Sequence, residues 1–63
     1  MSKLTPAKLA RLERGLSQYD VAKETGIPQP TISLYEREYT EPKPEHKEIL
    51  AELYGKKVND LWK

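Results

Sequence analysis

Apolar residues come in short bursts of helical period along this chain, and glycine or proline stands at most of the gaps between bursts. Ala7, Leu9, Ala10 and Leu12 form the first burst, Val21 and Ala22 the second, and Ile32 and Tyr35 the third. Ile49, Leu50, Leu53 and Tyr54 follow, then Val58, Leu61 and Trp62. Thr5-Pro6 predicts the start of helix one, because Thr5 can cap and Pro6 fits the first helical position, where a missing N–H costs nothing. This helix should run to about Arg14 and end at Gly15. Its apolar pattern is wider than one stripe, which places part of it at the margin of the core. Leu16 then packs inward and staples against Val21. Ser17 with Asp20 makes an aspartate version of the capping box, so helix two should open at Gln18. Gly26 supplies the left-handed turn at its end, and Ile27 plugs the core beneath. Pro28 is pre-set for helix three, which runs to near Arg37. Tyr39 to Lys43 read as a loop. Pro44 fits the first turn of helix four, whose broad apolar face continues to Gly55. A basic turn with Lys56 and Lys57 leads to a short last helix that closes the bottom of the core.

Helix three decides what the chain is for. At about 100° per residue, Ile32, Tyr35 and Glu36 fall on one side. Pro30, Ser33, Leu34 and Arg37 fall on the other, with Gln29 and Thr31 at the flanks. One side is core and the other is display. A displayed amide, small hydroxyls, an apolar group and a cation suit a DNA major groove, where base edges offer paired donors and acceptors and the thymine methyl. Helices two and three together read as a helix-turn-helix.

The run RGLSQYDVAKETGIPQPTISLYERE, followed by Pro42 and then by ILAELYGKKVNDLW, resembles the lambda-repressor and Cro-type helix-turn-helix family. Members open helix two with SQ, turn at glycine and carry an IS..E signature in helix three. The resemblance covers about residues 5–62. It implies an all-α fold, a compact five-helix lambda-repressor-like DNA-binding domain, as a single domain over residues 1–63. It also implies that Arg11 pairs with Glu36, a tie between helices one and three and not a DNA contact, and that Gln29 reads a base. Two positions depart from the family pattern. Glu38 stands where glycine is usual, which leaves open the path of residues 38–43. Pro30 stands where a small polar residue is common.

Geometry assigns the remaining roles. Gln18, at the first turn of helix two, can offer its amide and its backbone N–H to a phosphate at the positive end of the helix dipole. Gln29 is placed to pair with adenine. Pro30 donates no backbone hydrogen bond and offers a rigid apolar surface to a thymine methyl or a sugar. Thr31 and Ser33 add hydroxyl contacts, and Leu34, which faces solvent by the periodicity, is expected to contact a base as well. Arg37 and Lys43 should reach phosphates.

Composition narrows the alternatives. The 63 residues contain no cysteine, which excludes a disulfide framework and a thiolate metal site. No apolar run approaches the ~18 residues of a membrane span, and MSKLTP lacks the hydrophobic core of a signal peptide, so a cytoplasmic location is expected. Eleven Lys and Arg against ten Asp and Glu give a net charge of +1, and on this charge alone the chain reads as an ordinary solvated surface. The charge is polarised, however. Lys3, Lys8, Arg11 and Arg14 face only Glu13 in the first 14 residues, whereas Glu36 to Glu52 carries six acids. His46, the one histidine, sits among Glu45, Lys47 and Glu48 and reads as a solvated surface residue. No nucleophile with a base, phosphate-cradling loop or metal cluster is seen, so the chain is not expected to be an enzyme and no cofactor is expected. Met1 and the closing helix suggest a whole chain.

The expectation is a sequence-specific, repressor-like regulator of bacterial, phage or mobile-element origin. It would bind a pseudo-palindromic double-stranded DNA operator as a weak or DNA-induced homodimer, with half-sites about one helical turn apart. The competing reading is a protein-interaction module, antitoxin-like or an adaptor, using the apolar residues of helices four and five.

Overall fold

The computed structural model describes residues 4–62, so Met1 and Lys3 lie outside the described residues. Among the described residues the chain forms five helices and no strand: α1 Pro6–Glu13, α2 Gln18–Thr25, α3 Gln29–Glu36, α4 Pro44–Tyr54 and α5 Val58–Leu61. Their starts follow local chemistry. The Thr5 hydroxyl accepts from the Lys8 N–H at 3.4 Å, and Pro6 occupies the first turn. Ser17 closes a full capping box, its hydroxyl accepting from the Asp20 N–H at 3.0 Å while its own N–H donates to the Asp20 carboxylate at 2.9 Å. Hydrogen bonding to the carboxylate, chiefly from the Ser17 backbone N–H, favours its charged form and holds the Asp20 carboxyl below its ordinary pKa.

The helix ends are equally local. Gly26 is left-handed at φ 79°, its N–H donating to the Ala22 carbonyl at 2.8 Å. α1 and α3 close with a tighter double bond pattern in which two successive amides reach back into the last turn. At α1 these are Gly15 N–H to Leu12 O at 2.9 Å and Leu16 N–H to Arg11 O at 3.2 Å. At α3 they are Glu38 N–H to Tyr35 O and Tyr39 N–H to Leu34 O, both 3.1 Å. Glu38 therefore takes the left-handed position itself, at φ 60°. Of the two paths that the missing glycine left open, the chain follows the strained one.

The helices pack around Ala10, Val21, Ile27, Ile32, Tyr35, Leu50, Ala51, Tyr54 and Leu61, with Leu16, Ala22, Leu53, Val58 and Trp62 partly buried against them. On α1 the residues Ala7, Ala10 and Arg11 share the inward face, and the larger Leu9 and Leu12 lie opposite, 42% and 49% exposed. On α4 the inward face is Leu50, Ala51 and Tyr54, which puts Ile49 at the exposed edge. Trp62 follows α5 in an extended conformation, and its indole N–H is buried with no acceptor among the described residues.

His46 corrects the expectation of a solvated side chain. It is half-buried, with Nδ1 2.8 Å from the Tyr35 hydroxyl and ring centroids 5.8 Å apart. The cause is Tyr35, whose ring is in the core and whose hydroxyl needs a partner there. The first turn of α4 supplies it.

Candidate nucleic-acid interface

The two helix N-termini that begin at Gln18 and Gln29 lie side by side, joined by the amides of those residues. Gln29 Nε2 donates to Gln18 Oε1 at 2.6 Å, and Gln18 Nε2 donates onward to Glu36 Oε1 at 3.0 Å. Behind Glu36 stands Arg11, bidentate, with Nε to Oε2 at 2.6 Å and Nη2 to Oε1 at 3.2 Å. Arg11 is fixed in turn by its Nη1, which donates to the Leu16 carbonyl at 2.7 Å. Thr5 adds a further tie, its hydroxyl donating to the Glu36 backbone carbonyl at 2.6 Å. Arg11 and Glu36 are both buried, so the chain of contacts begins at a desolvated ion pair and ends at the surface.

That origin dictates the direction of every bond along it. A carboxylate only accepts, so Gln18 must turn its amino group toward Glu36 and its carbonyl toward Gln29. Gln29 must then turn its amino group inward. What Gln29 keeps for the outside is one N–H and its carbonyl oxygen, an adjacent donor and acceptor. Adenine presents the complementary acceptor and donor in the major groove.

Along α3 from Gln29, Pro30 is exposed in the first turn, and Thr31 and Ser33 are half-buried. Leu34 is half-buried rather than solvent-facing, and its backbone carbonyl accepts from the Tyr39 N–H in the closing turn. Arg37 is exposed at the far end. Lys43 is exposed on a different element, at the N-cap of α4, and no hydrogen bond among the described residues ties it to the others. The structure therefore groups Gln18 and Gln29 directly, sets Pro30, Thr31, Ser33 and Leu34 along α3 behind Gln29 with Arg37 at its C-cap, and leaves Lys43 at the N-cap of α4.

One residue of this surface was not foreseen. Tyr39 is 73% exposed, and the Arg37 guanidinium lies 5.0 Å from its ring centroid, within cation–π range. An aromatic in an otherwise polar loop was the available signal. The acids of this region are partly offset, since Glu41 pairs with Lys47 at 3.0 Å.

The family described as helix-turn-helix matches residues 8–61. The chain belongs to the Cro/C1-type helix-turn-helix family. No curated protein and no solved structure matches it. Members of the Cro/C1-type family are DNA-binding transcription regulators and not enzymes, and this membership makes the chain a helix-turn-helix regulator that binds double-stranded DNA. In the Cro/C1-type domain seen here, α2 and α3 are the helix pair, joined by the turn at Gly26. No helix among the described residues is long and apolar enough to cross a membrane.

Proposed function

We propose that this Cro/C1-type protein is a sequence-specific, repressor-like regulator of bacterial, phage or mobile-element genes, reading the major groove with α3. The observation that carries the reading is the directed chain from Arg11 through Glu36 and Gln18 to Gln29, which presents a fixed donor and acceptor at the outer end. Gln29 reads adenine, and Pro30, Thr31, Ser33 and Leu34 line the groove beside it. Gln18, Arg37 and Lys43 hold the backbone phosphates on either side. A single bidentate pair contributes roughly 1–3 kcal/mol of discrimination, too little for one domain to find its site alone. The protein therefore works as a weak or DNA-induced homodimer on a pseudo-palindromic operator, in the cytoplasm.

Selection of sites from random duplex DNA at moderate salt tests this reading, run with the native protein and with Gln29→Ala. The native protein should return a short inverted repeat. The variant should lose preference at one adenine in each half while keeping the rest. Recovery of no motif by the native protein would overturn the specific-regulator reading. The exposed Leu9, Leu12 and Ile49 would then favour the other reading, an adaptor that contacts a protein partner through its apolar surface.

A further inference from the structure

Beside the amide chain, a cleft of about 420 Å³ opens between α1, the start of α2 and the end of α3. Lys8, Gln18, Ser33 and Arg37 line it, with Thr5 and Glu36 at the back and Glu38 on the wall. We infer that this cleft is a seat for one phosphodiester group of the DNA backbone, and that Lys8 is the cation that completes it. The inference rests on the DNA-binding reading above and adds a residue that neither the sequence nor that reading assigned.

Three features support it. Glu36 does not repel an anion here, because Arg11 neutralises it at 2.6 Å. Lys8 and Arg37 take part in no salt bridge among the described residues, so both cations are available to an outside charge. The Thr5 hydroxyl proton is already committed to the Glu36 carbonyl, which leaves the Ser33 hydroxyl and the second N–H of the Gln18 amide, beyond the one given to Glu36, to donate to the anion. A water takes about 30 Å³ of liquid volume, so the cleft has room for a phosphate with bridging waters. The free charges balance to Lys8 and Arg37 against Glu38. Removing Lys8 and removing the charge of Glu38 should therefore act in opposite directions.

Duplex binding measured between 50 and 200 mM salt tests the seat, with native protein, Lys8→Gln, Lys8→Arg, Glu38→Gln and Lys23→Gln as a control on the exposed end of α2. Melting curves establish that each variant is folded. Losing one phosphate contact lowers the salt slope by about 0.9, so the advantage of native protein over Lys8→Gln should shrink about 3.5-fold across this range. The weakening should be equal on operator and on random duplex, because a phosphate carries no sequence. Lys8→Arg should restore the slope, Lys23→Gln should leave it unchanged, and Glu38→Gln should tighten binding to both duplexes. A Lys8→Gln slope equal to that of native protein, in a protein that binds duplex, would overturn the seat and leave the DNA reading standing. Failure of native protein to bind any duplex would overturn both. Inorganic phosphate supplies the remaining arm: if it shifts the Ser33 and Arg37 amide resonances in native but not Lys8→Gln protein, while Lys8→Gln leaves duplex binding unchanged, the site takes a free anion and not the backbone.

Discussion

Glu36 shows at a single residue how stability and reading are joined in this domain. Its carboxylate accepts three hydrogen bonds, two from Arg11 and one from Gln18, and it is only 4% exposed. Removing Arg11 leaves that charge buried with one neutral donor. Arg11→Met should therefore destabilise the domain by roughly 3–5 kcal/mol, the usual loss when one member of a buried pair is deleted. Urea denaturation measures it directly. Arg11→Met combined with Glu36→Met should regain most of the loss, because an apolar pair of similar volume needs no partner. A single variant as stable as native protein would show the pair to be solvated. Tyr54 lies beneath the same pair, and its hydroxyl is pushed up to about 12 by burial and by the charge of Glu36, with Arg11 pulling the other way. Below pH 10 the folded and unfolded chains both hold this proton. Between pH 10 and about 12 the unfolded chain releases it and the folded chain does not, so stability falls over that window. Tyr54→Phe should remove this part of the alkaline loss, as read from denaturation midpoints against pH.

At the scale of the elements, α3 carries the one strained closure. The turns at Gly15 and Glu38 close with the same pair of backward bonds, yet at Glu38 the left-handed position, at φ 60°, is held by a residue with a side chain. Left-handed geometry costs a residue with a Cβ about 1–2 kcal/mol, and glycine returns part of that through its freer unfolded chain. Glu38→Gly should thus stabilise by about 1 kcal/mol, and for a domain of this size that raises Tm by about 4–8 °C. Glu38→Ala, which removes the same charge and keeps the Cβ, should give none of that gain. Equal melting temperatures for the two variants would locate the effect in the charge instead. The contrast explains what was legible in the sequence. Helix starts at Pro6 and Gln18 and ends at Gly15, Gly26 and Gly55 are written in residues next to the boundary, so local chemistry reads them. The inward face of α3 follows from its period alone. His46 was misread because its partner, Tyr35, is remote in sequence and the turn around it is polar. Ala51 is inconspicuous because an alanine adds little to an apolar pattern, whereas the excess width of the α1 pattern is itself the sign that part of it, Leu9 and Leu12, lies at the margin of the core. Of the candidate site, the residue types on α3 could be read from spacing. The order Gln29 to Gln18 to Glu36 could not, since it exists only once α2 and α3 are packed.

The dimensions of the whole molecule bear on how two copies would share an operator. The fold measures 28 × 22 × 21 Å between backbone extremes. Half-sites read from one face of the duplex lie about 34 Å apart, centre to centre. Even with its long axis along the DNA, the backbone of one copy stops short of the other by about 6 Å, a gap that only side chains can bridge. With a short axis along the DNA the gap is about twice as wide. The surface that two copies would share on such an operator is therefore expected to be small, below the roughly 1,200 Å² at which specific interfaces hold in free solution. Sedimentation of free protein at micromolar concentration should show a monomer, and cooperativity should appear only on an operator carrying both half-sites. Inserting five base pairs between the half-sites turns one copy to the opposite face of the duplex, so cooperativity should vanish while each half-site keeps its own affinity. Inserting ten restores the face but doubles the distance to about 68 Å, which no side chain spans, so cooperativity should stay lost. Cooperativity that survives either insertion would mean that the copies touch through something larger than this interface.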